Sequence, residues 1–438
     1  MEKTQSYPTT PRARWFQGER VPLSTSATFR FATLGLLAML VAAGAPSPLY
    51  GLYASEFGFS TSVLTVVFAV YALALLGTML IVGSLSDYVG RKPVLFAALT
   101  LEIVSFGLFL LASGVPGLII ARLVQGVSTG AAIGTLGAIL LDTEGPRAGR
   151  GTVVNSIVSQ VGFVVGAVGA GVLAEYAPAP LELVFWVLIA CFAALFAVAL
   201  LMPETGELRL GARRSLRPEV MVPKRVRGAF YAAVPLFVAT WAVSGLYVSL
   251  GGSIVNGVFG YSNLFVSGLI VAAMLAPGAV ASHLMRSARL RTAIRFGSAM
   301  LIAGLATTLV GLALGSGPLG FSVFVFGTVV AGIGFGSAYV GAFRSTMAEV
   351  PAATRAATLT AILGVSYLSF SIPALIAGAL TTHVGIRSTA TGYGAAVIAI
   401  TVGALAVQRL RSRPTTDRDE DDQAGEAPRL TTALGRAG

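Results

Sequence analysis

Charge is what this chain has least of. Of its 438 residues only 11% are Asp, Glu, Lys or Arg, against roughly a quarter in a soluble globular domain. So few ionised side chains exclude the soluble class and place the chain among membrane proteins. Cysteine is almost absent. Cys191 stands alone inside an apolar run, which excludes a disulfide framework and a cysteine-rich metal centre. The two histidines, His283 and His383, fall near opposite ends of separate apolar segments and cannot form a metal pair with each other, so no metal site and no cofactor is expected. No G-x-x-x-x-G-K-[ST] run occurs either, which excludes an ATP-binding phosphate loop.

What is abundant is apolar surface, 55% of residues with a mean hydropathy of +0.81, and it is gathered into runs. A helix crossing a bilayer core needs about 20 such residues. Twelve segments qualify: Phe31–Tyr50, Val63–Val82, Val94–Ala112, Leu118–Leu141, Val153–Leu173, Leu183–Leu201, Phe230–Leu250, Leu264–Leu284, Phe296–Leu314, Leu319–Tyr339, Ala356–Ala379 and Ala390–Val407. Their apolarity is continuous and does not alternate, which argues for helices and against barrel strands. The fold expected is an all-α membrane protein.

The net charge of +11 and isoelectric point near 10.1 do not indicate a nucleic-acid partner, because the basic residues form no single patch; they are divided among the connections between spans. With the amino terminus inside, 28 of the 30 Lys and Arg fall on the cytoplasmic side, Arg387 lies outside and Arg122 falls within a span. That asymmetry predicts a multi-pass protein of the plasma (inner) membrane with both termini cytoplasmic. Ala43-Gly44-Ala45 follows a basic arm and an apolar core as a secretory cleavage site would. Cleavage there would leave eleven spans and break the symmetry described next, so the first segment is expected to remain a span.

The basic stretch "PETGELRLGARRSLRPEVMVPKRVR" divides the spans six from six. The expected organisation is a disordered arm over residues 1–28, a six-helix bundle over 29–202, a cytoplasmic connection over 203–228, a second bundle over 229–408 and a disordered acidic tail over 409–438. "QGVSTGAAIG" from Gln125 is similar to "AGIGFGSAYV" from Ala331, aligning Gly126 with Gly332 and Gly130 with Gly336; "GVL" at Gly171 is similar to "GAL" at Gly378. The halves are therefore expected to be pseudo-symmetric repeats.

Between the second and third spans lies "GSLSDYVGRKPVL", Gly83 to Leu95. Gly83 and Gly90 allow close approach and a tight turn, and Asp87, at a helix end, suits a positive charge or a helix amino terminus. The stretch resembles the loop motif G-x-L-a-D-r-x-G-r-k-x-x-l of the major facilitator superfamily, matched at Gly83, Leu85, Asp87, Gly90, Arg91, Lys92 and Leu95, with Tyr88 in place of an arginine. The resemblance spans about residues 28 to 410. It implies two six-helix bundles around a central cavity and a monomeric carrier of small molecules rather than an enzyme. It also implies a gate in which Asp87 meets the amino terminus of the eleventh helix, near Thr354–Ala356, while Arg91 bridges to Asp142, with Lys92 beside them. The second copy, "SHLMRSARLRTAI" from Ser282, carries Arg286 where the aspartate would be.

An ionisable group at membrane depth demands a reason. "RLVQG" at Arg122 resembles the superfamily's fourth-helix motif, which is associated with proton coupling; Arg122 and Gln125 share a helical face that the family turns into the cavity. Glu102, midway along the third span, is a candidate proton carrier or a hydrogen-bonded structural acid. "GFVVGAVGAG" resembles the family's fifth-helix exporter motif at Gly162, Gly166 and Gly171, with Ala167 and Ala170 as departures; small residues at this spacing also serve helix packing. Gly126–Gly130 spells G-x-S-x-G, but no strand precedes it, so it is not a hydrolase elbow. On the helices that the family places around its cavity, Tyr71, Asn155, Gln160, Trp241, Tyr247, Tyr339 and Tyr367 are the candidate substrate contacts. Pro46, Pro48, Pro235, Pro277 and Pro373 are expected to break helices and free carbonyls. The function expected is proton-coupled export of a small amphiphilic or apolar compound by alternating access. Uptake of a small metabolite is the alternative, and a non-transporting sensor a third.

Overall fold

The structure is a computed structural model describing residues 23–146, 149–206, 211–216, 220–351 and 354–411. Most of the amino-terminal arm, part of the central connection and nearly all of the acidic tail therefore lie outside the described residues. Helices α1 (Thr25–Phe57), α2 (Thr61–Val82), α3 (Arg91–Leu110), α4 (Val115–Asp142), α5 (Arg150–Tyr176) and α6 (Leu183–Ala199) form the first half. The second half comprises α7 (Arg227–Phe259), α8 (Leu264–Met285), α9 (Leu290–Leu314) and α10 (Pro318–Met347), then a long helical run Arg355–Arg411. That run breaks at Gly385, whose φ of 77° no helix accommodates, giving α11 (355–384) and α12 (386–411). Twelve spanning segments result among the described residues.

Local signals account for the ends. Ser24 caps α1 by accepting from the Ala27 amide at 3.3 Å, and Asn263 caps α8 by accepting from Val266 at 3.0 Å. Gly58, at φ 65°, terminates α1 in the left-handed conformation. The first span is longer than its apolar run: α1 pauses at Ala45 and resumes with Pro46 at its first position, because a proline there gives up only an amide that would otherwise lack a partner. Pro235, Pro277 and Pro373 do not break their helices, contrary to expectation. Proline inside a membrane helix is tolerated because neighbouring helices and small local adjustments re-satisfy the carbonyls it frees.

Packing within each half depends on glycine. On α9, Gly297, Gly304 and Gly311 recur every seven residues, and on α10 so do Gly327, Gly334 and Gly341. A Cβ at Gly311 would stand 2.5 Å from the Phe324 nitrogen, one at Gly327 2.5 Å from that of Thr308, and one at Gly341 2.7 Å from the Ile294 side chain. The two antiparallel helices therefore pack backbone to backbone. The repeat seen in the sequence has the same physical content. A Cβ on Gly126 would overlap the Tyr71 carbonyl, and one on Gly130 would lie 2.7 Å from that of Leu75. Gly332 and Gly336 occupy the same relation to Met274 and Gly278. The α4–α2 and α10–α8 contacts are thus copies of one another.

The halves meet through α5 against α8 and α2 against α11, with α1 and α7 between. Gly171 abuts Leu264 and Phe265; its sequence counterpart Gly378 abuts Thr65. Around them Ser62 Oγ donates to the Gly378 carbonyl at 2.8 Å, Ser47 Oγ donates to that of Val248 at 2.6 Å, and Glu175 Oε2 accepts from the Leu264 amide at 2.8 Å. Phe68 packs on Phe370 with centroids 4.8 Å apart. All these contacts lie toward the face opposite the Gly83–Arg91 segment, so the bundles are sealed there.

Gly126→Ala should destabilise the detergent-solubilised protein by about 1–3 kcal/mol, the usual cost of overpacking, and lower its melting temperature. Gly169→Ala, with nothing within 4 Å of the new methyl, should leave the melting temperature unchanged or raise it.

Candidate functional site

Two polar assemblies stand out. The first surrounds the Gly83–Leu95 segment. After α2 the chain makes a single turn, Ser86–Val89, and reverses at Gly90, with φ 96°. Arg91 opens α3 there, largely buried. Its Nη1 donates to Asp87 Oδ1 and to Ser86 Oγ at 2.8 Å, while its Nε donates to Asp142 Oδ2 at 3.2 Å. One guanidinium thus joins the ends of α2 and α4 to the start of α3. Glu204, just beyond α6, closes the assembly from above. Its carboxylate accepts from the amides of Arg91 at 2.7 Å and Lys92 at 3.1 Å, two of the donors that a helix amino terminus leaves open. It fills the space where a side chain on Gly90 would stand. Lys92 is half-buried, its Nζ 5.9 Å from the Phe96 ring.

Among the described residues the expected contact of Asp87 with the start of α11 is not made. Asp87 turns to Arg91 within its own half, and Arg355 and Ala356 are exposed. The cause is the sealing of the bundles at the opposite face. The decayed copy also has its own solution. Arg344, near the end of α10, donates to the carbonyls of Met285 at 3.1 Å and Ala288 at 2.8 Å, capping the end of α8 with no acid involved.

The second assembly is buried inside the first half. Arg122, 2% exposed, donates through Nη1 to Gln125 Oε1 at 2.7 Å and through Nη2 to the Tyr50 hydroxyl. Gln125 Nε2 donates in turn to the Ala42 carbonyl at 3.0 Å and to Glu102 Oε1 at 3.3 Å. The guanidinium carbon lies 5.1 Å from the ring centres of Tyr50 and Tyr71 and 5.8 Å from that of Phe109, an aromatic cage that replaces part of its lost hydration. Among the described residues Arg122 Nε and Glu102 Oε2 have no hydrogen-bond partner. A chain Tyr50–Arg122–Gln125–Glu102 therefore runs from α1 through α4 to α3. Arg122 and Gln125 are enclosed behind Tyr71 and do not line an open cavity. Tyr50 was not singled out from the sequence, although an arginine at membrane depth calls for such a partner.

The remaining candidates divide. Trp241, Tyr339 and Tyr367 are half-buried together, the Trp241 ring 5.9 Å from Tyr339 and 5.1 Å from Tyr367. Tyr71 is buried against Arg122. Asn155 and Gln160 are half-buried on α5, Asn155 beside Gly137. Tyr247 is buried in the core of the second half, accepting from Thr328 at 3.0 Å with Thr308 at 3.4 Å, because its face of α7 turns to α9 and α10. Gly162 and Gly166 pack on Leu37, Leu40 and Val41 of α1, and Gly171 crosses to α8. Thr328 stands where the glycine alignment puts the counterpart of Arg122, and Thr308 meets it on the Tyr247 hydroxyl. The second half thus holds a hydroxyl cluster where the first holds charges.

The sequence profile of the Major Facilitator Superfamily matches residues 32–318. The chain is 27% identical over 331 residues to multidrug resistance protein MdtL of Shewanella oneidensis, covering 73% of this chain and 80% of that protein. Over 160 residues it is 36% identical to the 3-(3-hydroxy-phenyl)propionate transporter of Escherichia coli, covering 35% of this chain and 36% of that one. Among solved structures, a POT family transporter in complex with 5-aminolevulinic acid superposes with a TM-score of 0.70 at 16% identity, over 90% of this chain and 97% of that one. The human organic anion transporter MFSD10 gives 0.57 at 17%, over 87% and 100%. Both likenesses show the two-bundle fold.

Glu204→Ala should release the amides of Arg91 and Lys92, with faster hydrogen exchange at those two positions and a loss of about 0.5–2 kcal/mol, as for a lost helix cap. Arg122→Ala should cost more, about 1–3 kcal/mol for each buried partner left unsatisfied, read as a lower melting temperature in detergent.

Proposed function

The chain belongs to the major facilitator superfamily and is an integral, multi-pass membrane transporter of small molecules; on that footing we propose that it exports a small amphiphilic or apolar compound in exchange for protons. The observation that carries the reading is the buried chain Tyr50–Arg122–Gln125–Glu102. An acid and an arginine this deep in a bilayer are expensive to keep. Glu102 Oε2, without a hydrogen-bond partner among the described residues, is the atom on which a proton would reside. Arg122, linked to it through Gln125, would respond electrostatically when that proton leaves. The relation to a multidrug resistance protein supports efflux, and the half-buried ring cluster of Trp241, Tyr339 and Tyr367 supports an aromatic or apolar cargo.

In this reading one monomer in the plasma membrane, both termini cytoplasmic, alternates access between bundles at residues 29–202 and 229–408. The sealed face is the outer one. Asp87, Arg91 and Asp142 hold the inner gate within the first half, and closure of the inner side brings Asp87 to the start of α11. A second reading, uptake of a small metabolite, is favoured by the match to a protein named for a hydroxyphenyl acid.

Reconstituted vesicles carrying an internal pH dye and challenged with an amphiphile panel test the coupling. Proton movement should follow compound addition and vanish in Glu102→Gln while cargo exchange persists; unchanged proton movement in that variant ends the assignment of Glu102. Asp87→Asn should cut transport with insertion unaffected, and full transport in that variant removes Asp87 from the gate.

A further inference from the structure

A groove of about 530 Å³ opens at the connection-face end of the second half, away from both polar assemblies. It draws on the first turns of α7 and α9, the last turns of α12, and Ser345 of α10. This is the depth at which apolar spans give way to charged ends. Its floor is apolar, with Ala233 and Ile294 both buried. Arg291 and Arg295, one turn apart on α9, line it and are exposed, and Gln408 of α12 lines it as well. Among the described residues neither arginine pairs with a carboxylate.

We propose that this groove binds the headgroup of an anionic phospholipid. The two guanidiniums take the phosphate, for which their planar donor pairs are suited, and the apolar floor receives the glycerol and first acyl carbons. Basic pockets between membrane helices at this depth are the usual seats of acidic headgroups. The acidic run "DRDEDDQAGE", which begins at Asp417, six residues beyond the end of α12, also complements the arginines in charge. Its one apolar side chain is the single methyl of Ala424, too little for the floor, whereas a phospholipid matches both surfaces.

The test is native mass spectrometry of the full chain in detergent with phosphatidylglycerol or phosphatidylcholine. One phosphatidylglycerol should be held tightly and phosphatidylcholine not. The double variant Arg291→Gln with Arg295→Gln should weaken that one site roughly thirtyfold, and Arg295→Gln alone roughly fivefold. Replacing both arginines by lysine should retain most of the affinity, and an unchanged melting temperature in each variant checks the fold. Equal phosphatidylglycerol affinity in the glutamine variants and the parent overturns the proposal. So does displacement of the lipid by inorganic phosphate, which would make this a site for small phosphate anions. Binding that emerges only after residues 412–438 are removed would assign the groove to the acidic tail instead.

Discussion

Helices in lipid gain nothing by hiding apolar surface from one another, because the surrounding acyl chains are as apolar as leucine. What holds this bundle in one arrangement is how closely two backbones can approach, and glycine sets that distance. The α4–α2 and α10–α8 contacts each rest on a pair of glycines four residues apart, facing the carbonyls of the neighbouring helix. The joins between halves rest on Gly171 and Gly378, with serine hydroxyls and Glu175 binding backbone groups around them. The α4–α2 approach at Gly126 also sets where Arg122, one turn earlier on α4, meets Tyr71.

The two halves keep one frame and have diverged in chemistry. Where the first half holds Arg122 the second holds Thr328, gathered with Thr308 on the Tyr247 hydroxyl. Neutral hydroxyls satisfy one another at short range and need no counter-charge. An arginine needs a cage of rings and an amide relay to be tolerated. The same divergence shows at the loop ends, where Arg91 bonds to carboxylates and Arg344 bonds to carbonyls.

Much of this was legible in the sequence, for identifiable reasons. Apolar runs and loop charge locate the spans, because bilayer thickness fixes helix length. The alignments of Gly126 with Gly332 and Gly171 with Gly378 carry through because small residues at close approaches tolerate little exchange. Arg91 and Asp142 come together at 3.2 Å as the motif implied. Other features depend on azimuth, which hydropathy does not encode when a helix is apolar all round. Tyr247 was expected in a cavity and lies in a core; Arg122 was expected to face the cavity and stands behind Tyr71. The role of Glu204 was invisible because its partners are backbone amides more than a hundred residues earlier. The seven-residue glycine repeats on α9 and α10 were present in the letters, and their antiparallel pairing emerges only from the fold.

That last pairing has a mechanical consequence. Two helices locked so tightly that a single added methyl has nowhere to go can neither slide nor twist past each other. The α9–α10 pair is a stiff strut, and any displacement of the carboxyl-terminal half carries it as one body. Deformation is left to the seams between the halves, α2 on α11 and α5 on α8, where the approaches at Gly378 and Gly171, the Phe68–Phe370 contact and a few side-chain hydrogen bonds must part together.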